Sequence, residues 1–289
     1  MSSDLASPPV SNAGAPIGGS TRFLDRADGR IAYDDMGNGP LVVLVPGLGD
    51  LRGEYRFLAP PVAAAGYRVI AMDLRGHGES SAAWPDYATS AIGSDIAALV
   101  RHIDAGPAVI VGTSMGAGAA VVAAADAPEK VAGLILIGPF VRDVPLPAST
   151  RLILAVALNL AFVGPWGPAA WGAYYASLYR SRKPPDFDAY RTRLVANLRE
   201  PGRLAALQAM LRSSKADVEP RLDRVSAPAL VLMGSADPDF PDPSGEAQLV
   251  AHRLRGEVAM IDGVGHYPHA EAPEATVPLV LDFLKRHAA

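Results

Sequence analysis

A serine between two glycines is the residue of this sequence best suited to act as a nucleophile. Ser114 lies in the run Gly-Thr-Ser-Met-Gly at Gly112–Gly116, after the β-branched residues Val109–Val111 and before the alanine-rich run Ala117–Ala127. This pattern predicts a buried strand, a tight turn and a helix, and such a turn exposes the serine hydroxyl to a substrate. Glycine is needed on both sides because a Cβ would collide where strand and helix nearly touch. The start of the helix would also offer free N–H groups to a developing oxyanion.

The elements that must position this serine form a regular alternation. Apolar runs predict strands at Thr21–Leu24, Arg30–Tyr33, Leu41–Val45, Tyr67–Met72, Ala108–Val111, Val131–Ile137, Ala229–Met233 and Val258–Ile261. Helices are expected at Glu54–Ala65, Ser90–Ile103, Ala117–Ala127, Ser244–Leu254 and Val277–His287. Only the first two strands are joined by a hairpin signal, Asp28-Gly29, so the pattern is typical of a parallel sheet with helices on both faces. Ligands of such sheets bind beyond the carboxyl ends of the strands, where Ser114 lies.

The alternation breaks between Phe140 and Arg224, a stretch without a convincing strand. Leu152–Val163 and Ala169–Tyr179 are apolar helical stretches, and Asp188–Leu198 and Arg203–Ser213 are amphipathic ones. We interpret this region as a helical cap inserted over the strand ends. Its first two stretches carry no formal charge, but a Gly-Pro-Trp-Gly-Pro interruption leaves pieces too short to cross a bilayer. We therefore expect no stable membrane insertion, while contact with a membrane surface stays open.

Composition narrows the function classes. The 289 residues have a net charge of −4, so no basic surface indicates nucleic acid as a partner. The absence of cysteine excludes disulfides, thiolate metal sites and a cysteine nucleophile. No metal-binding motif is present, and we expect neither a metal nor another cofactor. Residues 1–20 lack the basic start and apolar run of a signal peptide, which predicts a disordered tail and a cytoplasmic protein, with an arm packed on the domain as the alternative.

Four motifs, in this order, make the chain resemble an α/β-hydrolase-fold protein of the serine esterase type. They are the glycine turn at Pro46–Gly49, the loop Asp73–Ser80, the serine turn, and a late acid followed by a histidine. The resemblance implies an α/β fold with a mostly parallel eight-stranded sheet flanked by helices. It also implies a core of residues 21–139 and 226–289, with a cap of residues 140–225.

The resemblance assigns the remaining members of a catalytic triad. It places the acid on Asp237, three residues after the glycine that ends a strand, where it would hold a histidine in one tautomer. Asp239 competes for this role, and Asp242 and Asp143 are weaker alternatives. The general base would be His266, which follows the last strand.

The resemblance also names groups around the triad. The backbone N–H groups of Leu48 and Met115 would form the oxyanion hole, although Pro46 stands where many relatives have histidine. Of the other histidines, His269 is the nearby rival for the general base and is expected to be structural. His77 is expected to pack within its own loop.

These residues predict acyl transfer to water through an acyl-enzyme, with a small-molecule substrate. The apolar cap residues Leu160, Trp166, Trp171 and Tyr175 would bind an uncharged substrate of small to medium size, which favours a carboxylic ester. A lactonase, a perhydrolase and a carbon–carbon bond hydrolase remain open, as does a ligand-binding signalling protein with a retained triad. Serine at the turn argues against dehalogenases and epoxide hydrolases of this fold, which use aspartate there. The oligomeric state stays open.

Overall fold

One mixed sheet orders the chain in the computed structural model, which describes residue 17 and residues 20–143 and 160–288. Its strands are β1 (Arg22–Arg26), β2 (Gly29–Met36), β3 (Leu41–Val45), β4 (Arg68–Met72), β5 (Ala108–Thr113), β6 (Val131–Ile137), β7 (Ala229–Gly234) and β8 (Glu257–Ile261). The helices of the described residues are α1 (Ala59–Ala64), α2 (Thr89–Ile103), α3 (Met115–Asp126), α4 (Gly167–Ser177), α5 (Phe187–Leu198), α6 (Arg203–Arg212), α7 (Pro243–Leu254), α8 (Pro268–Glu271) and α9 (Pro273–His287). Short 3₁₀ turns lie at Arg52–Tyr55, Pro128–Lys130, Gly164–Trp166 and Glu219–Arg224.

The sheet has eight strands in the order β1-β2-β4-β3-β5-β6-β7-β8. The pairs β1–β2 and β2–β4 are antiparallel, and every later pair is parallel. Neighbouring parallel strands end almost level, as the pairing of Thr113 with Ile137 and of Gly234 with Ile261 shows. The loops that follow these strands therefore meet at one edge of the sheet. The expected fold class, a mostly parallel eight-stranded α/β sheet, is confirmed.

The central strands are buried on both faces, as their continuous apolar runs predict. Alternate residues of β3 belong to two separate layers of core: Val43 and Val45 pack in the layer that contains α2, α3 and α7. Val42 and Leu44 pack in the layer that contains α1 and α9. This period of two follows from the alternating direction of side chains along a strand, and it leaves only the strand ends open to a ligand.

One predicted helix is wrong in its extent. The segment Glu54–Ala65 forms a 3₁₀ turn at Arg52–Tyr55 and a separate helix, α1, rather than one helix. Pro60 and Pro61 lie at the start of α1, where their missing N–H groups cost nothing, but they cannot continue a helix from the preceding turn. The predicted helix Leu152–Val163 and the expected tail lie mostly outside the described residues. Within the expected tail, the backbone N–H of Ile17 donates to the carboxylate of Asp34.

The described residues between β6 and β7 contain α4, α5 and α6 and no strand. We propose that residues 140–225 are a cap on a core of residues 21–139 and 226–289, which is the division expected from the sequence. Across the described ranges, no helix combines the length and apolar character needed to span a membrane.

Candidate active site

The turn after β5 holds Ser114 in a strained backbone conformation. Its φ of 56° and ψ of −119° are unusual for a residue with a side chain, and α3 begins at the next residue. The Ser114 N–H donates to the carbonyl of Ile137 at 2.8 Å, which ties the turn to the end of β6. A Cβ on Gly116 would lie 2.4 Å from the Pro46 carbonyl oxygen, so glycine is required where the turn meets the loop after β3. The predicted strand, turn and helix around the serine are confirmed.

The acid and histidine predicted from the late motifs form a buried pair. Nδ1 of His266 lies 2.6 Å from Oδ2 of Asp237, and both side chains are almost fully buried. Their loops are joined by a hydrogen bond from the Ala236 N–H to the Val264 carbonyl at 3.0 Å. Because a carboxylate accepts, Nδ1 carries the proton of this hydrogen bond, and Nε2 is the nitrogen left for a substrate-side partner.

Gly138, directly after β6, brings this pair and the serine together. It follows Ile137, the residue that accepts the Ser114 N–H, and a Cβ on it would lie 2.8 Å from Cε1 of His266. The imidazole therefore packs against backbone that is itself bonded to the serine turn. Phe140 repeats this connection, since its N–H donates to the Ser114 carbonyl at 3.2 Å and its ring centroid lies 6.0 Å from that of His266.

The weaker candidates for the acid lie elsewhere. Asp143 is exposed and accepts hydrogen bonds from the Ser214 hydroxyl and the Lys215 N–H. Asp242 caps α7, where its Oδ1 accepts the Gly245 N–H at 2.9 Å. Both carboxylates therefore have structural partners away from the histidine.

Asp239 is close to the histidine but is not its direct partner. Its Oδ2 lies 4.0 Å from Nδ1 of His266, beyond hydrogen-bond distance. Its N–H donates to Oδ1 of Asp237 at 3.0 Å, and its carboxylate accepts the hydroxyl of Tyr174 at 2.8 Å. Two carboxylates thus share one side of the same imidazole.

The electrostatic surroundings favour a charged His266. Burial alone lowers the pKa of His266, but the charge and hydrogen bond of Asp237, with the charge of Asp239, outweigh it and raise the pKa to about 9. Burial raises the pKa of Asp239, against the opposing effects of His266 and the Tyr174 hydroxyl. The site is built to stabilise an imidazolium, the species that forms when a histidine takes a proton from a serine.

The glycine turn after β3 lies directly against Ser114. The position of a Cβ on Gly47 is 3.3 Å from Cβ of Ser114. The Gly47 N–H donates to Oε2 of Glu54 at 2.8 Å, and the Gly49 N–H donates to Nε2 of His77 at 3.2 Å. The N–H of Leu48 lies between these two, and in the described chain it donates to no protein acceptor. The same holds for the N–H of Met115 at the start of α3, as an oxyanion hole requires.

His77 does more than pack within its own loop. Its Nδ1 lies 3.1 Å from the Arg75 carbonyl, so Nδ1 carries the proton and Nε2 is free to accept the Gly49 N–H. Burial lowers the pKa of His77 to about 4, which keeps the ring neutral and able to accept. The loop after β4 therefore supports the glycine turn, a role that the sequence did not indicate.

His269, the rival histidine, has Tyr55 and Glu54 as neighbours rather than the acid loop. It is fully buried, its ring stacks on Tyr55 with centroids 5.0 Å apart, and its Nε2 lies 3.1 Å from Oε1 of Glu54. It lies behind the glycine turn, in agreement with the structural role expected for it.

Potential metal-ligand atoms lie within 4.8 Å of one another on three residues, Asp237, Asp239 and His266. Zinc bound to a histidine nitrogen and a carboxylate oxygen at about 2 Å each would hold these two atoms about 3 Å or more apart. The observed 2.6 Å is a hydrogen-bond distance. The arrangement therefore fits an acid–histidine pair better than a metal centre.

Comparison with known proteins identifies the family of this chain. Residues 40–273 match the model of the alpha/beta hydrolase fold family. The chain belongs to this family. It is 28% identical over 280 residues to the 2-(acetamidomethylene)succinate hydrolase of Mesorhizobium japonicum, covering 92% of this chain and 96% of that protein.

Other relatives in the family support a hydrolase. The chain is 32% identical over 253 residues to a pimeloyl-(acyl-carrier protein) methyl ester esterase of Neisseria meningitidis, covering 84% of this chain and 92% of that protein. Its fold is also that of an esterase from Thermogutta terrifontis, with a TM-score of 0.77, 24% identity, and coverage of 93% of this chain and 100% of the other.

The four cap residues predicted to bind substrate occupy different environments. Trp171 lies on the glycine turn, where its Nε1 donates to the Gly49 carbonyl at 3.2 Å. Tyr175 is buried in a cluster of aromatic rings, and its hydroxyl pairs with that of Tyr179 at 2.8 Å. Leu160 and Trp166 are 63% and 56% exposed, and Nε1 of Trp166 donates to the Leu160 carbonyl. Substrate contact stays a prediction for all four residues, and the exposure of the last two does not support it.

Two phenylalanines next to the histidine were not anticipated. The Phe140 and Phe240 rings lie 4.8 Å apart, and their centroids are 6.0 and 6.4 Å from that of His266. Each follows a strand end, which is the signal that could have identified them, since loops after β6 and β7 border the serine turn. Tyr174 was likewise missed as a partner of the acid loop, because it is 65 residues from Asp239 in the chain.

Proposed function

We propose that this protein is a serine hydrolase that cleaves carboxylic esters of small to medium apolar substrates through an acyl-enzyme. The observation that carries the proposal is the 2.6 Å hydrogen bond between Asp237 and His266, next to a strained Ser114 at the carboxyl ends of the sheet. The family's relatives, which include an esterase of methyl esters, support the same class of reaction.

In the proposed mechanism, Ser114 attacks the ester carbonyl while Nε2 of His266 takes its proton. Asp237 keeps the imidazole oriented and stabilises its positive charge. The N–H groups of Leu48 and Met115 bind the oxyanion, each lowering the barrier by about 3 kcal/mol. The imidazolium then protonates the leaving alcohol, and the neutral imidazole activates the water that hydrolyses the acyl-enzyme.

Apolar groups around the site favour a substrate with an uncharged acyl chain. The rings of Phe140 and Phe240 border His266, and Trp171 covers the glycine turn. The carboxylates at the site are held by hydrogen bonds to His266 and Tyr174. Among the described residues, the groups that border His266 are these rings and carboxylates that already have partners, so burial there favours an uncharged acyl chain and hence apolar esters.

Turnover of p-nitrophenyl esters with acyl chains of two to eight carbons tests the proposal. We expect steady turnover by the wild type, and a loss of at least about 10⁴-fold in kcat for Ser114→Ala, because the nucleophile is removed. Ser94→Ala is the control, since that serine is exposed on α2. Full activity of Ser114→Ala would overturn the proposal. A single slow burst without turnover in the wild type would favour a binding protein with a retained triad.

A further inference from the structure

Helix α4 and the residue that follows it contact three of the four loops that carry the candidate machinery. Trp171 donates to Gly49 in the glycine turn, and Tyr174 donates to Asp239 in the acid loop. Directly after α4, the carbonyl of Leu178 accepts the N–H of His266 at 2.9 Å. Positions 171, 174 and 178 recur at helical spacing and share one face. This part of the cap is therefore attached to the site rather than being a cover at a distance.

The contact of Tyr174 is the one with a chemical consequence. Its hydroxyl lies 2.8 Å from both carboxylate oxygens of Asp239, and this carboxylate is the second anion beside Nδ1 of His266. Burial and the neighbouring carboxylate raise the pKa of Tyr174, so the hydroxyl stays protonated and can donate. The cap thus supplies a hydrogen-bond donor to a carboxylate that is mostly buried.

We propose that Tyr174 is a positioning residue, whose hydroxyl holds Asp239 ionised and oriented as a second anionic support for His266. The inference rests on the proposed function, since it concerns the same proton transfer. In this role Tyr174 acts through Asp239, and so links the position of the cap to the charge state of the general base.

The charges around the imidazole give the expected direction of the change in the pKa of His266 when the Tyr174 hydroxyl is removed. Asp237 and Asp239 face it from the acid loop, Glu54 is a more distant negative charge behind the glycine turn, and Tyr267 presents its ring edge-on. Asp239 in turn faces Asp237, His266 and Tyr174. Removal of the Tyr174 hydroxyl leaves the buried carboxylate with a higher pKa, because a hydrogen bond to the charged form is lost. Without its donor, Asp239 is also free to turn away from the imidazole, from which it is now 4.0 Å. A carboxylate that is protonated more readily or held less firmly stabilises the imidazolium less, so the pKa of His266 falls.

The pH dependence of ester hydrolysis by Tyr174→Phe tests the inference. We expect kcat to fall about tenfold, KM to stay within about twofold, and the midpoint of the kcat/KM profile to move to lower pH by about half a unit or more. Tyr179→Phe is the matched control, because it removes another buried cap hydroxyl whose partner is Tyr175 rather than Asp239. The control should keep the wild-type midpoint.

Asp239→Asn provides the second variant. It should move the midpoint in the same direction, and the double variant Tyr174→Phe/Asp239→Asn should be no slower than Asp239→Asn alone, because both changes remove one interaction. An unmoved midpoint in both single variants would overturn the inference, as would additive losses in the double variant. Either result, obtained with an active wild type that depends on Ser114, leaves the proposed function standing. An inactive wild type, or one indifferent to Ser114→Ala, would instead remove the proposed function.

Discussion

The tautomer of His266 decides what the site can do. Its Nδ1 is engaged with Asp237 at 2.6 Å, so only Nε2 can exchange a proton with a serine or a water. Asp237 and Asp239 together make the imidazolium favourable within a buried environment that would by itself disfavour it. His266 is therefore a strong base, but at neutral pH it must lose a proton from Nε2 before it can accept another one there.

This balance predicts an alkaline pH profile. With the pKa of His266 raised to about 9, the ring is protonated at neutral pH and cannot accept the Ser114 proton. We expect kcat/KM to rise about tenfold per pH unit below this value and to level off above it. Initial rates from pH 6 to 10.5, corrected for spontaneous ester hydrolysis, provide the measurement. A profile already level at pH 7 would contradict the proposed charge state.

Asp237→Asn tests the two contributions expected of the acid, which are to fix the tautomer of His266 and to stabilise its positive charge. Loss of the carboxylate should lower kcat by about 10⁴-fold, because the tautomer and the imidazolium lose their main support. The pKa of His266 should fall toward or below its ordinary value of 6.5, so the residual activity should level off at a lower pH than in the wild type. Asp143→Asn, at an exposed carboxylate bonded to Ser214, is the control. A larger loss in that control would mean that the acid is assigned wrongly.

At the scale of elements, the site depends on how closely the turn after β5 approaches the loop after β3. The carbonyls of Val45 and Pro46 both lie 2.4 Å from the position of a Cβ on Gly116. Two backbones in such contact cannot move apart without displacing the serine and the oxyanion donors together. In the proposed mechanism, the spacing of these two elements therefore sets the geometry of the attack.

Gly116→Ala should destabilise the protein by about 2 kcal/mol or more, because the added methyl meets backbone atoms that cannot rotate away. Gly47→Ala is a graded comparison: its nearest neighbour is Cβ of Ser114 at 3.3 Å, so the loss of stability should stay below about 1 kcal/mol while turnover falls. Denaturant midpoints and ester turnover of both variants provide the test. Equal losses of stability in the two variants would show that the close approach of the serine turn to the loop after β3 does not determine the stability of the protein.

At the scale of the whole molecule, several contacts join the cap to the core far from the serine. Arg56 forms two hydrogen bonds to Asp186, at 2.7 and 2.9 Å, across partly buried surface. The side-chain amide of Asn197 exchanges hydrogen bonds with the backbone of Gly78 on the loop after β4. Together with the contacts of α4, these attach the proposed cap to the core at several places in the described structure.

We expect the cap and the core to unfold in one transition. In a Trp84→Phe variant, which removes the tryptophan buried in the core, the fluorescence of Trp166 and Trp171 reports on the proposed cap. Far-UV circular dichroism of the same variant reports on the whole chain, so the two denaturation curves should coincide. Asp186→Ala should lower both midpoints equally, since it breaks a pair that bridges the two regions. Two separate transitions, with only the earlier one moved by the variant, would show that the cap unfolds by itself.

Local patterns in the sequence determined the fold of this protein and pointed to its candidate nucleophile. The period of apolar residues predicts strands such as Leu41–Val45, because side-chain direction depends only on backbone geometry. The glycines around Ser114 predict its turn for the same local reason. The pattern failed at Glu54–Ala65, where Pro60 and Pro61 divide an otherwise helical segment.

Tertiary structure alone decided which distant side chains meet. Asp237 and Asp239 are two residues apart and chemically identical, and only the path of the acid loop brings the first to hydrogen-bond distance of His266. The same holds for the Tyr174 hydroxyl on Asp239 and for the support that His77 gives to the glycine turn. Such contacts join loops separated by many residues, and they depend on how helices and strands pack, which no local spacing of residues encodes.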